Sequence, residues 1–193
     1  MKVEICNHLR HCLHRRVFGI IHGGMGKVLD NPFTDGRGDK CFGCSGGNAH
    51  GLHLEFEEDG DEVLCRWTPD ARFQSWDGVL HGGIISTILD ETAGWAAMRR
   101  FNRSAMTTRL DVKFMKPVRI DGGAIEARAG YVEPINGKIA RFHATVRNAD
   151  GDVCAEVDAD YYIMDAERSK AMGFSSFGDA ANWAGRKVRR VQE

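Results

Sequence analysis

The chain has 193 residues, 42% hydrophobic and 27% charged, which suits one packed domain with extensions and excludes wholesale disorder. Its 26 basic and 27 acidic residues leave a formal net charge of -1, so no global field draws in nucleic acid or an anionic membrane. No run of eighteen apolar residues is present, and the stretch Val17 to Ile21 is too short for a signal-peptide core, so the expected location is cytoplasmic.

Residues 1–40 read as an N-terminal extension rich in Gly, His and Cys, with a break at Asn31-Pro32 and a loop-like run from Thr34 to Asp39. Within it, His22-Gly23-Gly24 followed by Leu29-Asp30 echoes a motif met later in the chain. Gly26 and Asn31-Pro32 interrupt any helix there, so this first copy reads as a loop or cap. Six cysteines (Cys6, Cys12, Cys41, Cys44, Cys65 and Cys154) are expected to stay reduced thiols. Cys41 and Cys44 form half of a zinc ligand set, and the crowded Cys6, His8, His11, Cys12 and His14 could supply the other half. The separation is long and no second Cys-x-x-Cys follows, so small thiols packing at the domain entrance, with no metal, is the preferred reading.

Residues 41–164 carry sustained periodicity and form the domain. Leu52, Leu54 and Phe56 share one face of a strand, and Val63, Cys65 and Trp67 share one face of the next. The acidic run from Glu57 to Asp61 reads as the turn between them. After a loop from Phe73 to Gly83, the pattern turns helical from Gly82 to about Arg100, with Ile84, Ile85, Ile88, Leu89, Thr92, Trp95 and Ala96 on a wide apolar face. The period then returns to two: Thr108, Leu110, Val112 and Phe114 alternate until Pro117. Further strands are predicted near 124–132, 138–148 and 152–164, the last two joined by the turn Asn148-Ala149-Asp150-Gly151. Strands that follow one another without helices between them imply an antiparallel sheet covering one apolar helix, an α+β fold. Residues 165–193 lose the periodicity and end in Arg186, Lys187, Arg189 and Arg190, a tail expected to form a short helix or fray and to do no chemistry.

The segment from Trp76 to Gly94 carries the chemistry. His81-Gly82-Gly83 opens the helix, where free N–H groups carry partial positive charge and glycine lets a ligand oxygen approach the backbone. Such a site can polarise a carbonyl and stabilise an oxyanion. Asp90 and Glu91 follow within the apolar run, where a carboxylate costs energy unless it is paired or useful. Sequence does not decide which of the two points inward. Gly82 and Asp90 are eight residues apart, roughly 12 Å along a straight helix, too far for both to act on one carbonyl from a single copy. Two antiparallel helices in a symmetric dimer would bring Gly82 of one beside Asp90 of the other.

At this point the sequence resembles hotdog-fold acyl-CoA thioesterases of the phenylacetate-pathway and thioesterase-superfamily-member type. The matching pieces are Gln74 to Gly78, His81 to Glu91 and Thr107 to Pro117, with Cys41-Phe42-Gly43-Cys44 and Gly51 to Leu54 at the entry. The resemblance covers about residues 41–164 and implies a long central helix wrapped by a curved antiparallel sheet. It implies that Asp90 is the catalytic carboxylate, as general base or as nucleophile, and that Gly82 supplies the carbonyl-polarising amide. The hydroxyl that orients water falls on Thr107, with Thr108 as the neighbouring candidate. The polar residue of the preceding loop falls on Gln74 or Ser75. His81 is expected to fix that loop, with Gly83 beside it, and Glu91 is the alternative acid. Trp76 is a candidate for lining an acyl or aryl pocket, and Arg103, Arg109, Lys116 or the basic tail for meeting the phosphates of coenzyme A.

The implied function is hydrolysis of an acyl-CoA thioester by a homodimer, or a dimer of dimers, with no cofactor beyond the coenzyme A of the substrate. A non-catalytic acyl-CoA sensor on the same fold is the alternative. A dehydratase or hydratase is a third, less suited because His81 and the acid are not spaced to move a proton on the acyl chain.

Overall fold

A computed structural model describes residues 26–33 and 40–177. The Cys/His cluster before residue 26, the His22-Gly23-Gly24 echo, the loop 34–39 and the basic tail end lie outside the described residues. The main helix, α1 (Gly82–Phe101), is held by a seven-stranded antiparallel sheet with the order β1-β2-β3-β5-β6-β7-β4. Its strands are β1 (Lys27–Val28), β2 (Phe56–Asp59), β3 (Glu62–Trp67), β4 (Ala105–Phe114), β5 (Ile125–Pro134), β6 (Ile139–Arg147) and β7 (Val153–Ile163). A short helix, α2 (Ala166–Ala171), follows β7 in the segment read as a tail.

The α+β architecture expected from periodicity is present: α1 packs against every strand from β3 to β7. Small residues explain how closely the sheet can wrap. Ala127, Ala129, Ala140, Ala144, Ala155 and Ala159 are buried on the sheet, against Ala93, Ala96 and Ala97 of the helix. Larger groups fill the ends, with Trp95 stacked on Phe56 at a centroid distance of 4.4 Å. Asn102 ends the helix in the left-handed conformation, and its Oδ1 accepts from the Phe177 N–H at 2.9 Å.

Two local features depart from the periodic pattern. Leu52 and Leu54 are buried as expected, but they precede the strand; their N–H groups donate to the carbonyls of Phe42 and Gly43. The acidic run does not turn as a whole either. Glu57, Glu58 and Asp59 stay extended in β2, and only Gly60 (φ +64°) and Asp61 connect to β3. The reason is Arg99, a residue of α1 with only 1% of its side chain exposed, whose Nε and Nη2 both donate to Glu58 Oε2 at 3.0 and 2.7 Å. A buried guanidinium demands a carboxylate, and β2 supplies it. No helix among the described residues is long and apolar enough to cross a membrane.

Candidate active site

The first turn of α1 distributes its free N–H groups unequally. His81 is the N-cap; its Nδ1 accepts from the Gly83 N–H at 2.9 Å. The N–H groups of Ile84 and Ile85 both turn back to the His81 carbonyl. Among the described residues only Gly82 then keeps a first-turn N–H with no acceptor. The cap thus consumes one donor and leaves its neighbour aimed outward, beside Phe114 at the far end of β4.

Asp90 lies two turns further on, half-buried, and is gripped on one oxygen only. Thr107 Oγ1 donates to Asp90 Oδ1 at 2.8 Å. The Tyr161 hydroxyl lies 2.8 Å from the same oxygen and 2.7 Å from the Asp90 carbonyl. Burial, and next the charge of Asp90, push the Tyr161 phenol above its ordinary range, so it serves as a donor. Oδ2 of Asp90 meets no protein donor among the described residues, which leaves it available to a ligand or a water.

A β-bulge decides which threonine reaches this carboxylate. Thr107 pairs with Tyr161 and Arg109 with Asp160, so Thr108 is the extra residue and the alternation slips by one. Thr107 and Leu110 consequently share the inner face although they are three apart. Thr108 is exposed, and its hydroxyl donates to the Asp160 carbonyl at 2.9 Å. The pattern read from Thr108 through Phe114 was right for its later members and one residue out of phase at its start.

Glu91, the next residue of the helix, lines the same cavity as Asp90. The cavity, about 340 Å³, is lined by both acids together with Cys41, Cys44, Thr107 and Tyr161, and its apolar walls include Trp95. Cys41 Sγ donates to Glu91 Oε1 at 3.4 Å. Burial, followed by the negative charge that Cys41 can carry, pushes the Glu91 carboxyl up to about 8. The Cys41 thiol itself is drawn well below its usual range, chiefly by a hydrogen bond from the Cys44 thiol, which is raised in turn. Sequence left open which acid points inward. Both do.

The loop residues stand elsewhere in the protomer. Gln74, Ser75 and Trp76 are exposed on a turn that Gln74 Oε1 closes by accepting from the Gly78 N–H at 3.4 Å, and Trp76 is 82% exposed. None of the three lines the cavity. Two of the cations considered for coenzyme A are engaged, Arg109 with Asp111 and Lys116 with Asp152, both in exposed pairs. The residue that sequence reasoning missed is Tyr161. Its neighbour Tyr162 is the same residue type, and only the pairing of β7 with β4 shows which of the two faces the helix.

A model of the thioesterase superfamily matches residues 77–155, from just before the His81 turn to the start of β7. Among solved structures, a Haemophilus influenzae thioesterase superposes with a TM-score of 0.55 at 20% identity, covering 63% of this chain and 85% of that one. AziG of S. sahachiroi gives a TM-score of 0.53 at 20% identity, covering 58% and 92%. The PaaI protein from the E. coli phenylacetic acid degradation operon gives 0.53 at 14% identity, covering 59% and 81%. No curated protein sequence matched. At these identities the solved structures establish the fold alone, the hotdog fold that the resemblance implied.

Proposed function

From the thioesterase-superfamily segment at residues 77–155, we propose that this protein hydrolyses an acyl-CoA thioester in a site shared by two copies of the chain. The observation that carries the reading is the one-sided grip on Asp90, a residue that lines the cavity: two hydroxyls hold Oδ1, and among the described residues Oδ2 has no protein donor. A sensor needs no such carboxylate, because a buried acid adds nothing to the binding of an anionic ligand.

In the reaction, Oδ2 of Asp90 takes a proton from water as the water oxygen bonds to the thioester carbon. The carbonyl oxygen becomes an oxyanion held by the Gly82 N–H, the first-turn donor left without an acceptor. Collapse of the adduct breaks the C–S bond, and the coenzyme A thiolate leaves with the proton that Asp90 collected. Thr107 keeps its proton on Asp90 and offers an oxygen lone pair to the attacking water.

The helical distance between Gly82 and Asp90, roughly 12 Å, requires that the amide come from the second copy. The sheet supports such a pairing. β4 is an edge strand ten residues long, with Met106, Leu110 and Phe114 exposed along it. An edge strand of this length with large apolar side chains exposed is normally covered. The direct test is thiol release from a panel of acyl-CoAs, with the oligomeric state measured on the same sample. Hydrolysis by a dimer is expected. Tight acyl-CoA binding without any turnover would replace the hydrolase with the sensor, and a fully active monomer would remove the shared site.

A further inference from the structure

The Cys41-Phe42-Gly43-Cys44 turn folds its two thiols onto Glu91, and this cluster plays no part in the chemistry at Asp90. One ligand atom from each of Cys41, Cys44 and Glu91 lies within 4.8 Å of the other two. The Cys41 Sγ to Glu91 Oε1 distance is 3.4 Å. A tetrahedral zinc ion with Zn–S near 2.3 Å and Zn–O near 2.0 Å would set sulfur and oxygen about 3.5 Å apart and the two sulfurs about 3.8 Å apart. The existing arrangement, with no pair further apart than 4.8 Å, therefore needs to close by at most about 1.3 Å.

We propose that Cys41, Cys44 and Glu91 bind one divalent transition-metal ion, zinc foremost, which clamps the 41–44 turn onto α1 beside Asp90. Three features of the turn support a metal in preference to inert thiols. First, the turn brings the two thiols and one Glu91 oxygen within 4.8 Å of one another and is closed by the Ser45 N–H donating to the Cys41 carbonyl at 3.4 Å. Second, Gly43 has no side chain where one would be blocked: a Cβ there would come within 2.4 Å of Cγ and Cδ of Glu91. The acid fills the space between the two cysteines that any other residue would occupy. Third, among the described residues no cation answers Glu91, whereas Glu58 at the other end of the helix is answered by Arg99. Three acidic groups facing one another are costly in a cavity wall, and a dication removes the cost.

A disulfide fits less well, since it would use both sulfurs and leave Glu91 buried without a counter-charge. Zinc accepts two thiolates and a carboxylate, and its fourth position would face the cavity that all three residues line. Binding displaces the thiol protons, so uptake should release acid. The site replaces the expectation of passive thiols and stands apart from the hydrolase reading, because it can be measured without turnover.

The test uses the full-length chain, reduced and stripped by chelator, then titrated with Co²⁺ and Zn²⁺. One Co²⁺ per chain is expected, with thiolate-to-cobalt charge transfer in the near ultraviolet and the intense ligand-field bands of tetrahedral cobalt. Cys41→Ser and Cys44→Ser should each weaken binding by at least about 100-fold, since loss of even an outer partner of a metal ligand costs 10–100-fold. Glu91→Gln should weaken it by about 10-fold. Zinc should raise the melting temperature of the wild type and leave that of Cys41→Ser/Cys44→Ser unchanged. If those variants do not fold, X-ray absorption on zinc-loaded wild type decides, with two sulfur neighbours near 2.3 Å expected. No metal uptake by the reduced protein, a cobalt spectrum that survives the double variant, or a zinc shell without sulfur would each overturn the proposal.

Discussion

Asp90 and Glu91 are consecutive on one helix and open on one cavity, yet the two walls they belong to are built differently. The Asp90 wall presents hydroxyls, Thr107 and Tyr161, which donate to one oxygen and do not compete for the charge. On the Glu91 wall, burial drives the carboxyl upward to about 8, and the Cys41 thiol, which can itself become an anion, adds to the effect. Neutral donors leave a carboxylate oriented and usable as a base. Acidic neighbours make it either a proton holder or a metal ligand. What an acid does follows from what faces it, not from its place in the motif.

The sharpest way to break this contrast is to neutralise each acid in turn. Asp90→Asn should lower kcat for acyl-CoA hydrolysis by about 10²–10⁴-fold while the Kd for acyl-CoA changes little. Glu91→Gln should slow turnover by less than about 10-fold. Equal losses in steady-state assays of the two variants would mean that the roles have been read in reverse.

Glu58, the β2 acid that Arg99 of the same helix answers, extends the comparison to stability. Glu58→Ala strips a buried guanidinium of its carboxylate and should cost about 3 kcal/mol in urea unfolding. Glu91→Gln in metal-free protein should cost nothing or stabilise, because an unanswered acid is removed from a cavity wall. A large destabilisation by Glu91→Gln without metal would show that the thiols alone satisfy it.

A smaller effect separates the two threonines. Thr107→Ala should reduce kcat by about 10-fold, with Thr107→Ser restoring most of it. Thr108→Ala removes only a hydrogen bond to the Asp160 carbonyl and should cost about 1 kcal/mol or less, read by thermal melting. If the larger kinetic loss fell on Thr108, the bulge would be misplaced.

The smallest effect is confined to acid. Asp160 receives Arg141 Nε and Nη2 on its two oxygens at 2.7 and 2.9 Å, and this pairing holds its carboxyl below the usual range. A depressed acid contributes stability above its unfolded pKa, about 3.9, and loses it as pH falls through the folded value. Asp160→Asn should therefore flatten the loss of stability below about pH 4 and lower the plateau above it. A parallel acid limb in the two proteins, followed by circular dichroism, would assign that loss to other carboxylates.

Much of this was legible in one dimension. The helix Gly82–Phe101, the four strands after it and the turn at Asn148 follow from hydrophobic period and turn chemistry, which are local properties. The Gly82 and Asp90 spacing is local too, since helix rise is fixed. The phase of Thr107 was not legible from alternation alone, because a bulge is settled by how two strands share hydrogen bonds. Arg99 and Glu58 are 41 residues apart, and nothing in either segment announces the other.

The order of residues by itself determined a long apolar helix with glycines at its start and acids midway, wrapped by an antiparallel sheet, because periodicity and backbone geometry act over a few residues. Tertiary structure alone decided that Tyr161 holds Asp90, that the Cys41 turn closes on Glu91, and that both acids share one cavity. Those contacts join segments 50 and 71 residues apart. Their geometry is set by packing between distant elements, which no local pattern encodes.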